Sequence, residues 1–329
     1  MATLSTTYMG FQISSPIVIA SCGLTNSLNE VIELEKNGAG AVVLKSLFEE
    51  EIITELQKEV HAMKTDNYHL YPETMKFFEE SDVEDTLTSY LKLITECKAA
   101  VKIPIIASIN CITSRNWTYF AKTLKNAGAD GLELNISLFP TDDDRSSAEI
   151  EQIYIDIIKA VKKEVDIPLS VKIGPFFTNL STLATRLSLS GVRSITLFNK
   201  QYSADIDIDE LSIVDSTRLS SSTDYTLPLR WCAILSNRIN CEISTSTGVH
   251  NGETAIKMLL AGAQTIQIAT TLYKNGLEQV KAINNEIVKW MDAKKFGTID
   301  DFRGKLSVEE TIDPSAYLRI QFMKNYSEK

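Results

Sequence analysis

The chain has 329 residues, 44% of them apolar and 23% charged, with 33 Lys and Arg against 43 Asp and Glu for a net charge of −10. That composition belongs to a globular protein with a sizeable core, and the length suits one α/β barrel as readily as two domains. An acid excess without any Lys/Arg cluster argues against nucleic acid and anionic membrane surfaces as partners, and no stretch reaches the roughly 20 apolar residues of a membrane span.

The first sixteen residues, MATLSTTYMGFQISSP, have neither a basic start nor an apolar core, so no targeting segment is read there and the expected compartment is the cytoplasm. The five cysteines, Cys22, Cys97, Cys111, Cys232 and Cys241, form no C-x-x-C pair, which argues against disulfides and a cysteine metal site. His61 and His69 fall in a polar insertion without metal-ligand spacing, so no metal is expected.

Along the chain, PIVIAS (16–21) reads as the first buried strand. Four times a helix-ending glycine then hands over to an apolar, β-branched run: NGAGAVVLKS (37–46), NAGADGLELNIS (126–137), LSGVRSITLFN (189–199) and LAGAQTIQIAT (260–270). PIIASIN (104–110), PLSVKIG (168–174) and CEISTS (241–246) bring the strands to eight. Amphipathic stretches at 28–37, 114–126, 148–165, 179–190, 228–237 and 252–260 have helical length. Continuous apolar strands alternating with helices mean parallel pairing with both faces covered, and eight repeats are what a closed (β/α)8 TIM barrel needs. No G-x-G-x-x-G follows a strand, as a doubly wound sheet would favour. The expected organisation is a single barrel domain over 1–329, with top-face insertions at about 47–87 and 200–226 and a C-terminal appendage at about 295–329.

Active sites of such barrels lie at the C-terminal strand ends. Here those ends carry Ser21, Lys45, Asn110, Asn135, Lys172, Asn199, Thr245 and Thr270. Any one of them has an ordinary reading as a snorkelling lysine or a turn asparagine. Together, two lysines and three asparagines at one mouth suit a planar heterocycle carrying negative charge, since an amide offers donor and acceptor and an ammonium stabilises an anion. TSTGV (245–249), before a helix opening near Asn251-Gly252, and IATT (268–271) follow the last two strands, where barrels of this type hold phosphate on backbone N–H groups; Ser, Thr and Gly also make ordinary helix caps.

These segments resemble the FMN-dependent dihydroorotate dehydrogenases, particularly the soluble family 1 enzymes, over roughly residues 8–306. SPIVIASCGLTNS is similar to their first strand and flavin turn, VVLKS to the strand ending in a Lys-Ser pair, and ELNIS to their Glu-Leu-Asn-Leu-Ser segment. SVKIGP resembles Val-Lys-Leu-Pro-Pro, LFN the strand with a substrate-binding Asn, and STGVHNGETAIKMLLAGAQTIQIATTLYKNG the phosphate loop, helix and final strand. The resemblance implies FMN as cofactor, lined by Ala20, Ser21, Lys45, Ser46, Asn110, Asn135 and Lys172, with Lys172 at the N1/C2-carbonyl edge. It implies Gly248, Ala269 and Thr270 at the phosphate, and Lys45, Asn135 and Asn199 around an orotate-type substrate. It also implies a homodimer, an oxidation of dihydroorotate to orotate in pyrimidine biosynthesis, and an electron acceptor that is not specified.

The pattern departs at the proton acceptor. Where the family continues Asn-Leu-Ser into a catalytic cysteine, this chain has Leu138, and Phe139-Pro140 follow. Ser137 is the candidate base; strand alternation sends it to the opposite face unless the turn shifts by one residue. Cys22 and Cys111 are also strand-end thiols, and each reads first as a small buried apolar residue. Ser220, Thr245 and Thr247 stand where the family has phosphate-loop glycines. Two alternatives stay open: an FMN flavoprotein acting on another enone or pyrimidine-like acid, and a catalytically silent ligand-binding barrel. Asp205, Asp207 and Asp209, alternating with Ala204, Ile206 and Ile208, read as a solvated edge strand, and 141–145 as a solvated acidic loop.

Overall fold

The computed structural model describes residues 2–54, 86–112, 114–138, 144–200, 204–215 and 219–318. His61, His69 and most of the acidic stretch 141–145 lie outside the described residues, as do 55–85 of the first insertion and 319–329 of the appendage.

The chain opens with an antiparallel hairpin, β1 (Thr6–Tyr8) and β2 (Phe11–Ile13). Strands and helices then alternate as β3 (Ile17–Ile19), α1 (Leu28–Lys36), β4 (Ala41–Val43), the short β5 (Leu47–Phe48), α2 (Thr86–Ala100), β6 (Ile105–Asn110), α3 (Ser114–Asn126) and β7 (Gly131–Asn135). The second half runs α4 (Ser147–Glu164), β8 (Leu169–Ile173), α5 (Leu180–Leu189), β9 (Ser194–Leu197), an antiparallel hairpin of β10 (Ala204–Asp207) and β11 (Ser212–Asp215), then α6 (Thr226–Leu235). It finishes with β12 (Glu242–Ser246), α7 (Gly252–Ala261), β13 (Thr265–Ile268), α8 (Thr270–Asn275), α9 (Gln279–Lys294) and α10 (Ser315–Leu318).

Among the described residues, eight strands close a parallel ring in the order β3, β4, β6, β7, β8, β9, β12, β13 and back to β3. This is the (β/α)8 barrel that the eight apolar runs predict. The four helix-ending glycines, Gly38, Gly128, Gly191 and Gly262, all take positive φ. At Gly262 (φ 113°) the amide caps α7 on Met258 and Leu259, and a Cβ would sit 2.4 Å from that of Ser236, so glycine is required there. Helix starts are fixed by side chains: Ser27 accepts from the Glu30 amide, Ser146 and Glu149 form a capping box, and Asn251 accepts from the Thr254 amide.

Strand alternation divides the interior in two. Outward residues such as Ile17, Val42, Leu132, Leu134, Val171, Ile195 and Ile266 join one aliphatic core between strands and helices. Inside the ring, β3, β4 and β6 contribute Val18, Ala41, Val43 and Ile106, which pack with Tyr8 and Met9 from the first hairpin. The facing strands instead bury Glu133, Ser170, Lys172, Thr196, Ser244, Thr265 and Gln267. A barrel interior normally filled by branched aliphatics is thus half polar.

Residues 297–308 pack beside α6 and α7, with the Gly304, Leu306 and Val308 amides donating to Leu259, Leu260 and Ala233 carbonyls and Phe302 fully buried. No helix among the described residues is long and apolar enough to cross a membrane.

Candidate active site

The C-terminal strand ends enclose a cavity of about 720 Å³. Its size suits a ligand larger than a single heterocycle. Every site residue predicted from the sequence lines it: Ala20, Ser21, Lys45, Ser46, Asn110, Asn135 and Lys172 on one side, Gly248, Ala269 and Thr270 on the other, with Asn199 and Ser137 at the rim. Of the eight strand ends read from the sequence, Thr245 alone does not line it. It alternates outward and its buried hydroxyl has no hydrogen-bond partner, while Ser246 faces the cavity in its place.

The floor is ionic. Lys172, almost fully buried, donates to Gln267 Oε1 at 3.2 Å and lies 3.6 Å from Glu133 Oε1. Glu133 Oε2 accepts from Gln267 Nε2 at 2.7 Å and from the Thr196 hydroxyl at 3.1 Å. One wall is a serine ladder: Ser21 Oγ lies 3.1 Å from Ser46 Oγ and accepts from the Ser46 amide at 2.8 Å, and Ser46 Oγ lies 2.7 Å from Ser108 Oγ. At the mouth, Asn199 Nδ2 donates to Asn135 Oδ1 at 2.8 Å. Lys45 is partly exposed and its amine lies 3.3 Å from the Glu51 carboxylate.

Beyond β12 and β13 the backbone folds tightly. Thr247 and Gly248 both have positive φ, 79° and 78°, and the Thr247 hydroxyl donates to the Phe198 carbonyl at 3.2 Å. A Cβ on Gly248 would fall 2.2 Å from the Tyr225 amide nitrogen, so the close approach of these two segments needs glycine. Ser220 bridges the segments: its hydroxyl accepts from the Gly248 amide at 3.3 Å and its amide donates to the Thr270 hydroxyl at 3.1 Å. His250 Nε2 is 3.3 Å from the Ser220 hydroxyl, and Lys274 donates to the Ser220 carbonyl at 3.1 Å. Burial, then the nearby Lys274 cation, holds His250 below its ordinary pKa.

The turn after β7 differs from the alternation argument. β7 ends at Asn135, so alternation does not extend to residue 137: Ser137 is exposed and faces the cavity, while Leu138 packs against the core with its amide 3.4 Å from the Tyr154 hydroxyl. Neither strand-end thiol is activated. Burial pushes the Cys22 thiol up, and burial followed by the Glu49 charge pushes up Cys111. Cys22 does line the cavity and Cys111 is buried.

Glu133, Gln267 and Tyr273 also line the cavity and were not singled out in the sequence. A signal for Glu133 exists: it stands two residues before Asn135 on β7, so the two share a face.

The sequence profile of the family described as dihydroorotate dehydrogenase matches residues 3–291. Among curated proteins, the dihydroorotate dehydrogenase B (NAD(+)), catalytic subunit, of Thermoplasma volcanium is 26% identical over 320 residues, covering 92% of this chain and 98% of that one. The protein of the same name from Pyrococcus horikoshii is 25% identical over 311 residues, covering 90% and 95%.

Proposed function

The chain belongs to the dihydroorotate dehydrogenase family, and on that premise we propose that it is an FMN-dependent oxidoreductase that oxidises dihydroorotate to orotate, a CH–CH dehydrogenation in pyrimidine biosynthesis. The observation that carries this reading is the stacking of two recognition layers in one cavity. A buried Lys172 amine forms the floor and the Asn135–Asn199 amide pair forms the mouth. The residues fit a flavin: the cavity volume is adequate, the cavity reaches Gly248 and the start of α8 at Ala269 and Thr270, and the floor carries an ammonium. Ala20, Ser21, Ser46, Asn110 and Lys172 would hold the ring system, and Gly248, Ala269 and Thr270 the phosphate.

When bound, the flavin supplies the hydride acceptor. The chain's own residues hold the substrate and handle the proton. Asn135 and Asn199 present donor and acceptor edges to the substrate's amide groups. The Lys45 amine exchanges Glu51 for the substrate carboxylate. Oxidation across C5–C6 breaks two C–H bonds and forms one C=C: hydride leaves C6 and a proton leaves C5. The Ser137 hydroxyl faces the cavity and is open to water, so it takes the C5 proton while its own passes to solvent.

A homodimer and a single domain over 1–329, with the insertions and appendage at the boundaries given above, belong to the same proposal. The exposed apolar pair Ile206 and Ile213 on the β10–β11 hairpin supports self-association. The five cysteines have no iron–sulfur spacing, so any iron–sulfur relay comes from a partner. A second reading keeps the flavin and changes the substrate to another enone acid; the turning of Leu138 into the core favours it.

The test is the visible spectrum of the purified protein followed by anaerobic titration with dihydroorotate. Bleaching of an oxidised-flavin band supports the first reading. A band that dihydroorotate leaves intact but another donor bleaches selects the second, and absence of flavin rejects both in favour of a silent barrel.

A further inference from the structure

The polar half of the barrel interior has an arrangement that the cavity alone does not require. Taking an unpaired ammonium and a carboxylate out of water costs several kcal/mol each, so such groups are kept only with well-placed partners. Glu133 is fully buried and the Lys172 side chain is 7% exposed. Gln267 fixes both: its carbonyl oxygen accepts from Lys172, and its amide nitrogen donates to Glu133 Oε2, lies 3.2 Å from Thr196 Oγ1 and reaches the Tyr8 hydroxyl at 3.3 Å. With two acceptor bonds on Oε2, Glu133 keeps Oε1 without a hydrogen bond, 3.6 Å from the Lys172 nitrogen. The charge of that oxygen is therefore directed at the ammonium without consuming one of its N–H groups. Lys172 keeps donors for the cavity, while much of its positive charge is offset from below.

We infer that Glu133 is a positioning residue that acts through Lys172: it holds the amine at the cavity floor and reduces the net positive charge that the floor presents to a bound flavin. The inference rests on the flavin reading above. Removing the carboxylate charge leaves Lys172 as an unbalanced cation, which favours the more negative, reduced form of the ring. The flavin midpoint potential then rises, and so does the affinity for sulfite, whose addition also makes the ring system more negative.

Glu133→Gln keeps an oxygen for Gln267 and Thr196, removes the charge and turns the position that faces Lys172 from an acceptor into an amide NH2. In flavin-loaded protein, the variant is expected to bind sulfite at least tenfold tighter than the parent and to show a higher flavin potential, with Glu133→Asp returning both toward the parent values. Unchanged sulfite affinity and potential in a fully flavin-loaded Glu133→Gln protein overturn the inference. A parent protein that carries no flavin instead overturns the functional reading, and the pairing is then judged by urea unfolding of Glu133→Gln, Lys172→Met and the double variant. Coupling of tenfold or more in the unfolding constant supports the pairing, and additivity rejects it. The double variant buries no unpaired charge, so it keeps the comparison available if Glu133→Gln fails to fold.

Discussion

Asn199 donates its side-chain amide to Asn135 at 2.8 Å, tying the chain after β9 to the end of β7 across β8. One donor of Asn199 and one acceptor lone pair of Asn135 are used, which leaves the Asn135 amide nitrogen and the Asn199 carbonyl oxygen for a ligand. Asn199→Ala is expected to raise the KM for dihydroorotate by about 10- to 100-fold, the equivalent of one or two lost hydrogen bonds. Flavin content and spectrum should not change, and a variant that sheds its flavin refutes the assignment to substrate.

Ser137 and Leu138 separate proton transfer from packing. Ser137→Ala is expected to lower kcat by about 10²-fold or more, the usual contribution of a positioned base, while flavin content holds. Leu138→Cys is expected to leave turnover unchanged and to cost about 1–2 kcal/mol, because the side chain packs against the core. A gain in turnover from the cysteine would mean that residue 138 reaches the substrate, which steady-state kinetics with both variants would reveal.

Gly248→Ala introduces a Cβ at φ 78°, 2.2 Å from the Tyr225 nitrogen. Left-handed backbone costs a non-glycine residue about 1–2 kcal/mol before the collision is counted, so the Tm should fall and FMN should dissociate more readily. Parent-like Tm and flavin retention would exclude a phosphate role for this turn.

Much of this site was legible because strand ends are read by position: apolar runs after helix-ending glycines locate the ring, and the last residue of each run locates the mouth. Lys172 and Asn135 are reached that way, and both line the cavity. Thr245 faces away from the cavity because β12 runs one residue past it, to Ser246, and one residue reverses the face. Alternation does not predict the face of Ser137, because β7 ends at Asn135. The first hairpin and the Glu133–Gln267 contact were not legible at all. Tyr8 and Met9 carry no local signal of insertion into a barrel, and the two members of the polar contact are 134 residues apart in the chain.

His250 supplies a pH dependence with a defined sign. Its folded pKa lies below the ordinary 6.5 through burial and Lys274, so on lowering the pH the unfolded chain takes up a proton first. Stability contributed by the neutral ring is therefore full above about 6.5, declines as the pH falls below it, and stops declining once the folded value is passed. His250→Asn should flatten the dependence of unfolding free energy on pH between about 7 and 5. An identical slope in parent and variant rules this out.

Ile206 and Ile213 oppose each other on the β10–β11 hairpin and are 67% and 81% exposed. Ile206→Asp with Ile213→Asp should convert a homodimer to monomer in sedimentation velocity without changing flavin content. A dimer that survives both changes places its interface elsewhere.

The bond between Gln267 and the Tyr8 hydroxyl spans 259 residues of chain. During synthesis, the residue that seals the floor of the barrel emerges near the beginning, and its partner on β13 emerges after every other strand of the ring. Until then Tyr8 and Met9 have an incomplete enclosure, and contacts of such long range are slow to form because loop closure precedes their reward. Ribosome-bound chains stopped before β13 should accordingly remain open to protease at the first hairpin, and protection there should appear only when the last strand is released.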